Sequence, residues 1–327
     1  MALWIPAFAG MTEINNPSMR ILFHAPNSNP EAWRAALGRA VPGADVRIWQ
    51  DGDNAAADYA VVWKPPAAVL APQRGLKAIF NIGAGVDGIL ELGEALPPDV
   101  PVVRLDDAGM GVQMAEYVTH AALRYLRRFD EYDMQLRAQQ SRFLKPYSKM
   151  DFTVGILGLG LLGQRIAAAL AALEFPLCGW SRTPKDVPGI SCHHGREGLD
   201  AFLGKTRLLV CVLPLTPETA RILNRDTLSK LPRGAFLVNV ARGGHLVEAD
   251  LLELVQDGHI TAATLDVTDE EPLPPEHPFW REPRITLTPH IAALTLRDES
   301  ARQIAGKIAL LERGDAVPGT VDRVKGY

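Results

Sequence analysis

The sequence predicts an α/β protein built from two parallel units, the second of them doubly wound. Three observations lead there. From residue 20 onward, short apolar runs alternate with helical patterns, as they do where helical crossovers join parallel strands. A glycine cluster, Gly158-Leu159-Gly160-Leu161-Leu162-Gly163, directly follows one such run and directly opens an alanine-rich helical stretch. The chain of 327 residues is also about twice the length of an ordinary domain.

Residues 1–18 read as an extension. They do not read as a signal peptide, because no positive charge precedes the apolar segment and that segment is short and holds Pro6. Met19 is a candidate natural start, since Arg20 opens the first strand pattern, over 20–25. Asn29, Pro30 and Glu31 then supply an N-cap, a proline at the first helical position and an acid in the first turn. Further strands are expected over 44–49, 57–63, 76–82 and 100–105, separated by Pro and Gly breaks. This first unit runs to about residue 112. Val118, Ala122, Tyr125, Leu126, Phe129 and Tyr132 recur at helical spacing and predict one long amphipathic helix over 115–140, which joins the units or builds a dimer interface. The second unit starts at Asp151. Its strands are expected at 152–158, 176–180, 207–213, 234–240, 261–267 and 284–290, and its helices at 161–173, 197–203, 225–231 and 248–258. A final helix is expected over roughly 294–313.

Composition narrows the function classes. The net charge is only −4 and no basic stripe occurs, so nucleic acid is not an expected partner. No apolar stretch is long enough to span a membrane. Cys178, Cys192 and Cys211 form no close pair, and Cys178 and Cys211 lie in apolar runs. They read as reduced thiols of a cytoplasmic protein. His193 and His194 lack the surrounding ligands a metal site needs, so no metal is expected.

The glycine cluster fits the pattern of a dinucleotide-binding turn, in its confirming setting between strand and helix. Gly158 permits the tight turn, Gly160 lets a pyrophosphate approach the backbone, and Gly163 lets the helix pack against the strand. The helix start at Leu161 and Leu162 offers N–H groups and a positive dipole end to phosphate. At the end of the next strand, where an Asp or Glu would bond a ribose 2′-hydroxyl, the chain reads Trp180-Ser181-Arg182-Thr183-Pro184-Lys185. A carboxylate there would repel a 2′-phosphate. Arg182 would attract one, with Ser181 and Thr183 as hydroxyl donors and Lys185 as a second cation. NADPH is therefore expected, with NADH as a weaker alternative. The competing interpretation makes Arg182 a solvated charge or a platform for adenine.

Three more stretches end later strands, where open α/β sheets place ligands. They carry Arg242, Glu271 and His290. An arginine there could clamp a substrate carboxylate, and a histidine oriented by a carboxylate could move a proton. Each alone is equally well a surface ion pair, one member of the acidic run Asp269-Glu270-Glu271, or a turn residue.

Taken together, the sequences around Arg242 (NVARGG), Glu271 (EPLP) and His290 (TPHIA), in this order after the glycine cluster, resemble the D-2-hydroxyacid dehydrogenase family. The stretches at 61–66, 80–90, 106–118, 127–133, 151–158, 179–185 and 231–252 and the chain end extend that resemblance from Arg20 to Tyr327. They narrow it to reductases of glyoxylate and hydroxypyruvate. The resemblance implies a doubly wound Rossmann-type nucleotide domain, 113–296, inserted in a smaller flavodoxin-like substrate domain, 19–112 with 297–327. It also implies a homodimer and a small 2-keto acid substrate. Arg242 then resembles the substrate-binding arginine, His290 the proton donor and Glu271 its partner. Ala84 and Gly85 resemble the amides that receive the substrate carboxylate, and Trp63 a pocket wall. Asp266 and Ala292 fall at the carboxamide end of nicotinamide. Thr268 departs from the pattern, since many relatives carry an aromatic residue there, and this bears on packing beneath Glu271. Two rival functions are a dehydrogenase for another 2-keto or 2-hydroxy acid and a non-catalytic NADPH-binding sensor, which would not need Arg242, Glu271 and His290 together.

Overall fold

A computed structural model of the chain describes residues 19–327, so the extension 1–18 lies outside the described residues. The chain divides into two compact units. One comprises the segment ending at Ala108 together with Thr295–Lys325, and the other comprises Gly109–Leu294.

The first unit holds a parallel sheet of β1 (Arg20–His24), β2 (Asp45–Ile48), β3 (Tyr59–Val62), β4 (Ala78–Asn81) and β5 (Val102–Arg104), in the order β2-β1-β3-β4-β5. This is the flavodoxin-like order. Every residue of β3 and β4 is buried, as expected of central parallel strands covered on both faces. Helix α1 (Pro30–Ala40) connects β1 to β2. Its Asn29 cap works as the sequence predicts, with Oδ1 accepting from the Ala32 N–H at 3.0 Å. Single turns α2 (Ala67–Leu70) and α3 (Asp87–Leu90) follow β3 and β4.

The second unit opens with α4 (Met110–Leu126) and α5 (Phe129–Arg137). The single helix expected over 115–140 is thus two helices. Arg128 adopts a left-handed backbone, φ +62°, which costs on the order of 1 kcal/mol for a residue other than glycine. The break is held by one contact inside α5 and two from farther along the chain. The Arg128 guanidinium grips Glu131 with two bonds of 2.7 Å, donates to the Lys145 carbonyl and stacks on Tyr147. Val118, Ala122, Tyr125 and Leu126 are buried, but Phe129, next in the apolar series, is half exposed. The Tyr125 hydroxyl bonds Thr264 at 2.6 Å and its ring stacks on Phe236.

Then follow β6 (Val154–Leu157), α6 (Leu161–Ala172), β7 (Leu177–Ser181), β8 (Ser191–His194), α7 (Gly195–Leu203) and β9 (Leu208–Cys211). After these come α8 (Arg225–Leu228), β10 (Ala235–Asn239), α9 (Glu248–Gln256), β11 (Ile260–Leu265) and β12 (Ile285–Leu287). The seven strands are parallel, in the order β12-β11-β10-β9-β6-β7-β8. The order reverses between β6 and β9, the switch point at which doubly wound sheets take ligands. Strand β8 was not expected. It contains His193 and His194 and sits at the sheet edge, where its polar sequence is tolerated. Cys178 and Cys211 are buried thiols, and burial pushes Cys211 up to about 12.

The chain returns to the first unit as α10 (Arg297–Glu312). Glu312 accepts from the Tyr59 hydroxyl at 2.5 Å and from Lys77 at 2.6 Å. Lys307, only 3% exposed, pairs with Asp106 at 2.9 Å and donates to the carbonyls of Arg104 and Pro318. Thr320 adds an antiparallel bridge to Val103 on β5.

One partly buried acid opposes the fold. Asp130 lies in the first turn of α5 with Oδ1 fully buried and unpartnered. Burial, and secondarily the charge of Glu131, push its carboxyl up from 3.8 to about 6. Because the folded value lies above the unfolded one, the charged form destabilises the fold. The penalty is absent below about pH 4, grows between about pH 4 and 6, and is complete above that. Asp130→Asn should therefore raise the thermal midpoint at pH 7.5 and leave it unchanged near pH 4. Calorimetry at the two pH values checks this, and an equal gain at both would contradict it.

Candidate active site

The glycine loop follows β6 at the switch point. Gly158 has φ +118°, and a Cβ there would meet the Val212 carbonyl at 3.0 Å, just beyond β9. A Cβ on Gly163 would lie 1.9 Å from the Gly158 carbonyl, so this glycine is what lets α6 start so close to its strand. Gly160, the N-cap of α6, has nothing within 4 Å of where a Cβ would be, and no side chain caps the helix. The open space at Gly160 in front of an uncapped helix N-terminus fits a pyrophosphate. Leu159 differs from its neighbours. Its side chain is fully buried against Gly179, so only its backbone can face a ligand. Leu161 is half exposed.

Arg182, Thr183 and Lys185 follow β7 and are exposed. Arg182 contributes to holding the Glu218 carboxyl low, after the larger effects of hydrogen bonds from Thr216 and from its own backbone. Ser181 is buried, and its hydroxyl donates to the Thr183 carbonyl at 2.8 Å, so it shapes the turn.

The other residues of this unit are delivered by three adjacent strand ends in register. Asn239 on β10 pairs with Leu265 on β11, and Leu265 pairs with Leu287 on β12. The ladder continues past the strands through Asp266 N–H to the Asn239 carbonyl at 3.0 Å and Thr288 N–H to the Leu265 carbonyl at 3.0 Å. Arg242, Asp266 and His290 therefore emerge from the same edge of one sheet.

Each loop is tied down by buried polar groups. The fully buried Asn239 side chain accepts from Ala241 N–H at 3.1 Å and donates to the Arg242 carbonyl at 3.0 Å. His245, also fully buried, places its two ring nitrogens 3.1 Å from the Arg242 carbonyl and 3.2 Å from the Pro214 carbonyl. A Cβ on Gly243 would lie 1.9 Å from the Thr268 carbonyl, so the Arg242 loop rests directly on the backbone leading to Glu271. Asp266, 2% exposed, accepts from Ile291 N–H and Ala292 N–H at 2.8 Å each and from the Thr288 hydroxyl at 2.6 Å. The next residue held here, His290, has φ +55° and donates its N–H to the Asp266 and Thr288 carbonyls.

His290 Nδ1 lies 2.9 Å from Glu271 Oε2. Glu271 Oε1 accepts from Thr268 N–H at 3.3 Å, and the Thr268 hydroxyl donates to the Glu270 carbonyl, so a small residue at 268 supports the turn with hydrogen bonds. The acidic run is thereby resolved. Glu271 faces the histidine, whereas Asp269 pairs with Arg221 at 3.3 Å. A carboxylate only accepts, so Nδ1 carries the proton toward Glu271 and Nε2 is the nitrogen left to exchange one.

In the first unit, Asn81 at the end of β4 is 1% exposed and donates to the carbonyls of Gly83 at 3.0 Å and Gly85 at 2.8 Å. That fixes the loop carrying Ala84 and Gly85. The Trp63 ring packs where a Cβ of Gly83 would otherwise stand. Sequence reasoning missed Asn81, Asn239, His245, Tyr117 and Thr288. A polar residue closing an otherwise apolar strand was the available signal for the two asparagines. A cavity of about 410 Å³ in the second unit is lined among others by Tyr117, Arg124, Asp130, Trp280 and Thr288, and not by Arg242, Glu271 or His290. Among the described residues no group of three or more His, Cys, Asp or Glu side chains could hold a metal, and no helix is long and apolar enough to cross a membrane.

Residues 119–292 match the family model of the D-isomer specific 2-hydroxyacid dehydrogenase, NAD binding domain. A D-isomer specific 2-hydroxyacid dehydrogenase from Xanthobacter autotrophicus, solved with NADPH, is 40% identical over 95% of this chain and 100% of that one, with a TM-score of 0.91. An NADPH-dependent glyoxylate/hydroxypyruvate reductase from Sinorhizobium meliloti, solved with NADP and sulfate, is 38% identical over 94% and 100%, with a TM-score of 0.89. A probable 2-hydroxyacid dehydrogenase from Rhizobium etli, solved with NADP and L(+)-tartaric acid, is 33% identical over 95% and 99%, with a TM-score of 0.86.

Proposed function

The chain belongs to the D-isomer specific 2-hydroxyacid dehydrogenase family, and from that membership we propose that it reduces small 2-keto acids with NADPH, glyoxylate to glycolate and hydroxypyruvate to glycerate. The observation that carries the proposal is the His290–Glu271 contact at 2.9 Å on the sheet edge that also presents Arg242. A protein that only sensed NADPH would have no use for a carboxylate-oriented histidine at the same strand ends as an arginine.

When bound, the reduced nicotinamide supplies a hydride to C2 of the keto acid. Arg242 holds the substrate through its planar fork, and its charge stabilises the oxygen that turns negative. His290 Nε2 gives that oxygen a proton as the carbonyl π bond breaks, leaving the 2-hydroxy acid. Glu271 keeps the imidazole oriented and stabilises the proton on Nδ1. In the same proposal the amides of Ala84 and Gly85 receive the substrate carboxylate, Trp63 walls the pocket, and Asp266 and Ala292 meet the carboxamide. The glycine loop holds the pyrophosphate, and Arg182, Thr183 and Lys185 hold the 2′-phosphate.

A homodimer and a cytoplasmic location belong to the same reading. Leu136, Phe143 and Met150 are each more than three-quarters exposed, a surface that suits a second copy, and sedimentation velocity checks it. The buried thiols Cys178 and Cys211 suit a reducing compartment, which cell fractionation checks.

Decay of NADPH absorbance with glyoxylate, hydroxypyruvate or pyruvate tests the activity, and no decay with any of them would leave the sensor reading. Arg182→Asp should raise the KM for NADPH relative to NADH by at least about tenfold, as expected for replacing a phosphate-binding cation by an anion. An unchanged ratio would remove Arg182 from the cofactor site. His290→Ala should lower kcat by about 10²–10⁴ while NADPH binding, followed by fluorescence titration, stays intact. Loss of binding would make His290 structural.

A further inference from the structure

We propose that Tyr117 and Thr288 are positioning residues for His290, acting through a hydrogen-bond chain that ends on the Asp266 carboxylate. The proposal rests on the functional reading above, in which His290 is the proton donor.

The chain has a fixed direction. Asp266 Oδ1 can only accept, so the Thr288 hydroxyl donates to it at 2.6 Å. That uses the one hydrogen Thr288 has. The Tyr117 hydroxyl, 2.5 Å from Thr288 Oγ1, must then be the donor of that pair. Burial pushes the Tyr117 phenol up to about 12, so the proton it donates stays in place at neutral pH. Helix α4 thereby reaches through Tyr117 to the end of β12 and orients the Thr288 hydroxyl toward Asp266.

What Asp266 holds is the segment that carries His290. Its two oxygens bind the N–H groups of Ile291 and Ala292 at 2.8 Å, and its carbonyl accepts from His290 N–H at 2.9 Å. His290 itself stands at φ +55°, a conformation that a residue other than glycine keeps only when its surroundings over-determine it. Thr288 supplies one of the three side-chain bonds on Asp266. Without its hydroxyl, one oxygen of a carboxylate that is 2% exposed keeps a single partner, and the carboxylate is free to turn. Tyr117 and Thr288 touch no reacting atom in this account. They form part of the wall of the 410 Å³ cavity.

The test is amide hydrogen exchange, by mass spectrometry, on the peptide spanning residues 288–293 of the full chain. It compares wild type with Tyr117→Phe, Thr288→Val and Thr288→Ser, alongside kcat with glyoxylate and the NADPH dissociation constant. Tyr117→Phe and Thr288→Val should speed exchange at Ile291 and Ala292 about fivefold or more, the worth of one buried hydrogen bond, and lower kcat to a similar degree. Because Asp266 also meets the carboxamide in the proposed function, kcat is read at saturating NADPH, and the dissociation constant fixes the concentration that saturates. Thr288→Ser, which keeps the hydroxyl, should restore both readouts. Wild-type exchange in Tyr117→Phe and Thr288→Val would overturn the proposal. So would a Thr288→Ser variant as unprotected as Thr288→Val, which would assign the effect to the methyl group, or a kcat that stays at the wild-type value at saturating NADPH while exchange speeds up. A wild-type protein that protects these amides but reduces no 2-keto acid would instead overturn the functional reading, and the catalytic meaning of the chain with it.

Discussion

A polar side chain buried at the end of a parallel strand needs hydrogen-bond partners, and in this protein it finds them in the loop that follows. Asn81 ends β4 and binds the carbonyls of Gly83 and Gly85. Asn239 ends β10 and binds both sides of the turn into Arg242. Asp266 follows β11 and binds the backbone around His290. All three are at most 2% exposed, so each bond lost would leave a buried group unsatisfied. Chemistry of this kind needs groups held to within a fraction of an ångström, and loops alone do not give that. Here the rigidity of two parallel sheets is passed to the loops by three side chains that touch no reacting atom in the proposed mechanism.

The glycines serve the same end by another route. Gly163 and Gly243 sit where any Cβ would collide with backbone, at 1.9 Å in both cases. One brings α6 up to its strand, and the other lays the Arg242 loop on the Thr268 backbone. Gly160 is the opposite case, with empty space where a side chain would be. The pattern Gly-x-Gly-x-x-Gly thus contains two different demands, close packing and open approach, and the structure separates them.

Most strands and helices were legible because their apolar period and end signals agree, as at Asn29-Pro30-Glu31 before α1. The break between α4 and α5 was not legible. Arg127-Arg128 contains no glycine or proline, and the left-handed turn depends on Glu131, Lys145 and Tyr147. Strand β8 was hidden for the converse reason, since its polar edge sequence has no apolar period. In the candidate site, Glu271 and His290 could be picked from the sequence and do meet. Spacing alone could not select Glu271 from the acidic run, because what separates it from Asp269 is the nearby Arg221. Ser181 has the residue type of a phosphate donor, and its hydroxyl bonds the Thr183 carbonyl, a partner no spacing could indicate. Leu159 lies within the motif, yet its side chain belongs to the core.

If the strand ends present Arg242 and His290 in one fixed arrangement, the keto acid has one orientation and its C2 one exposed face. The most direct test is the configuration of the glycerate formed from hydroxypyruvate and NADPH by the wild-type protein, resolved by chiral chromatography. The account predicts D-glycerate alone, in keeping with the D-isomer specific family to which the chain belongs. Racemic or L-glycerate would contradict it.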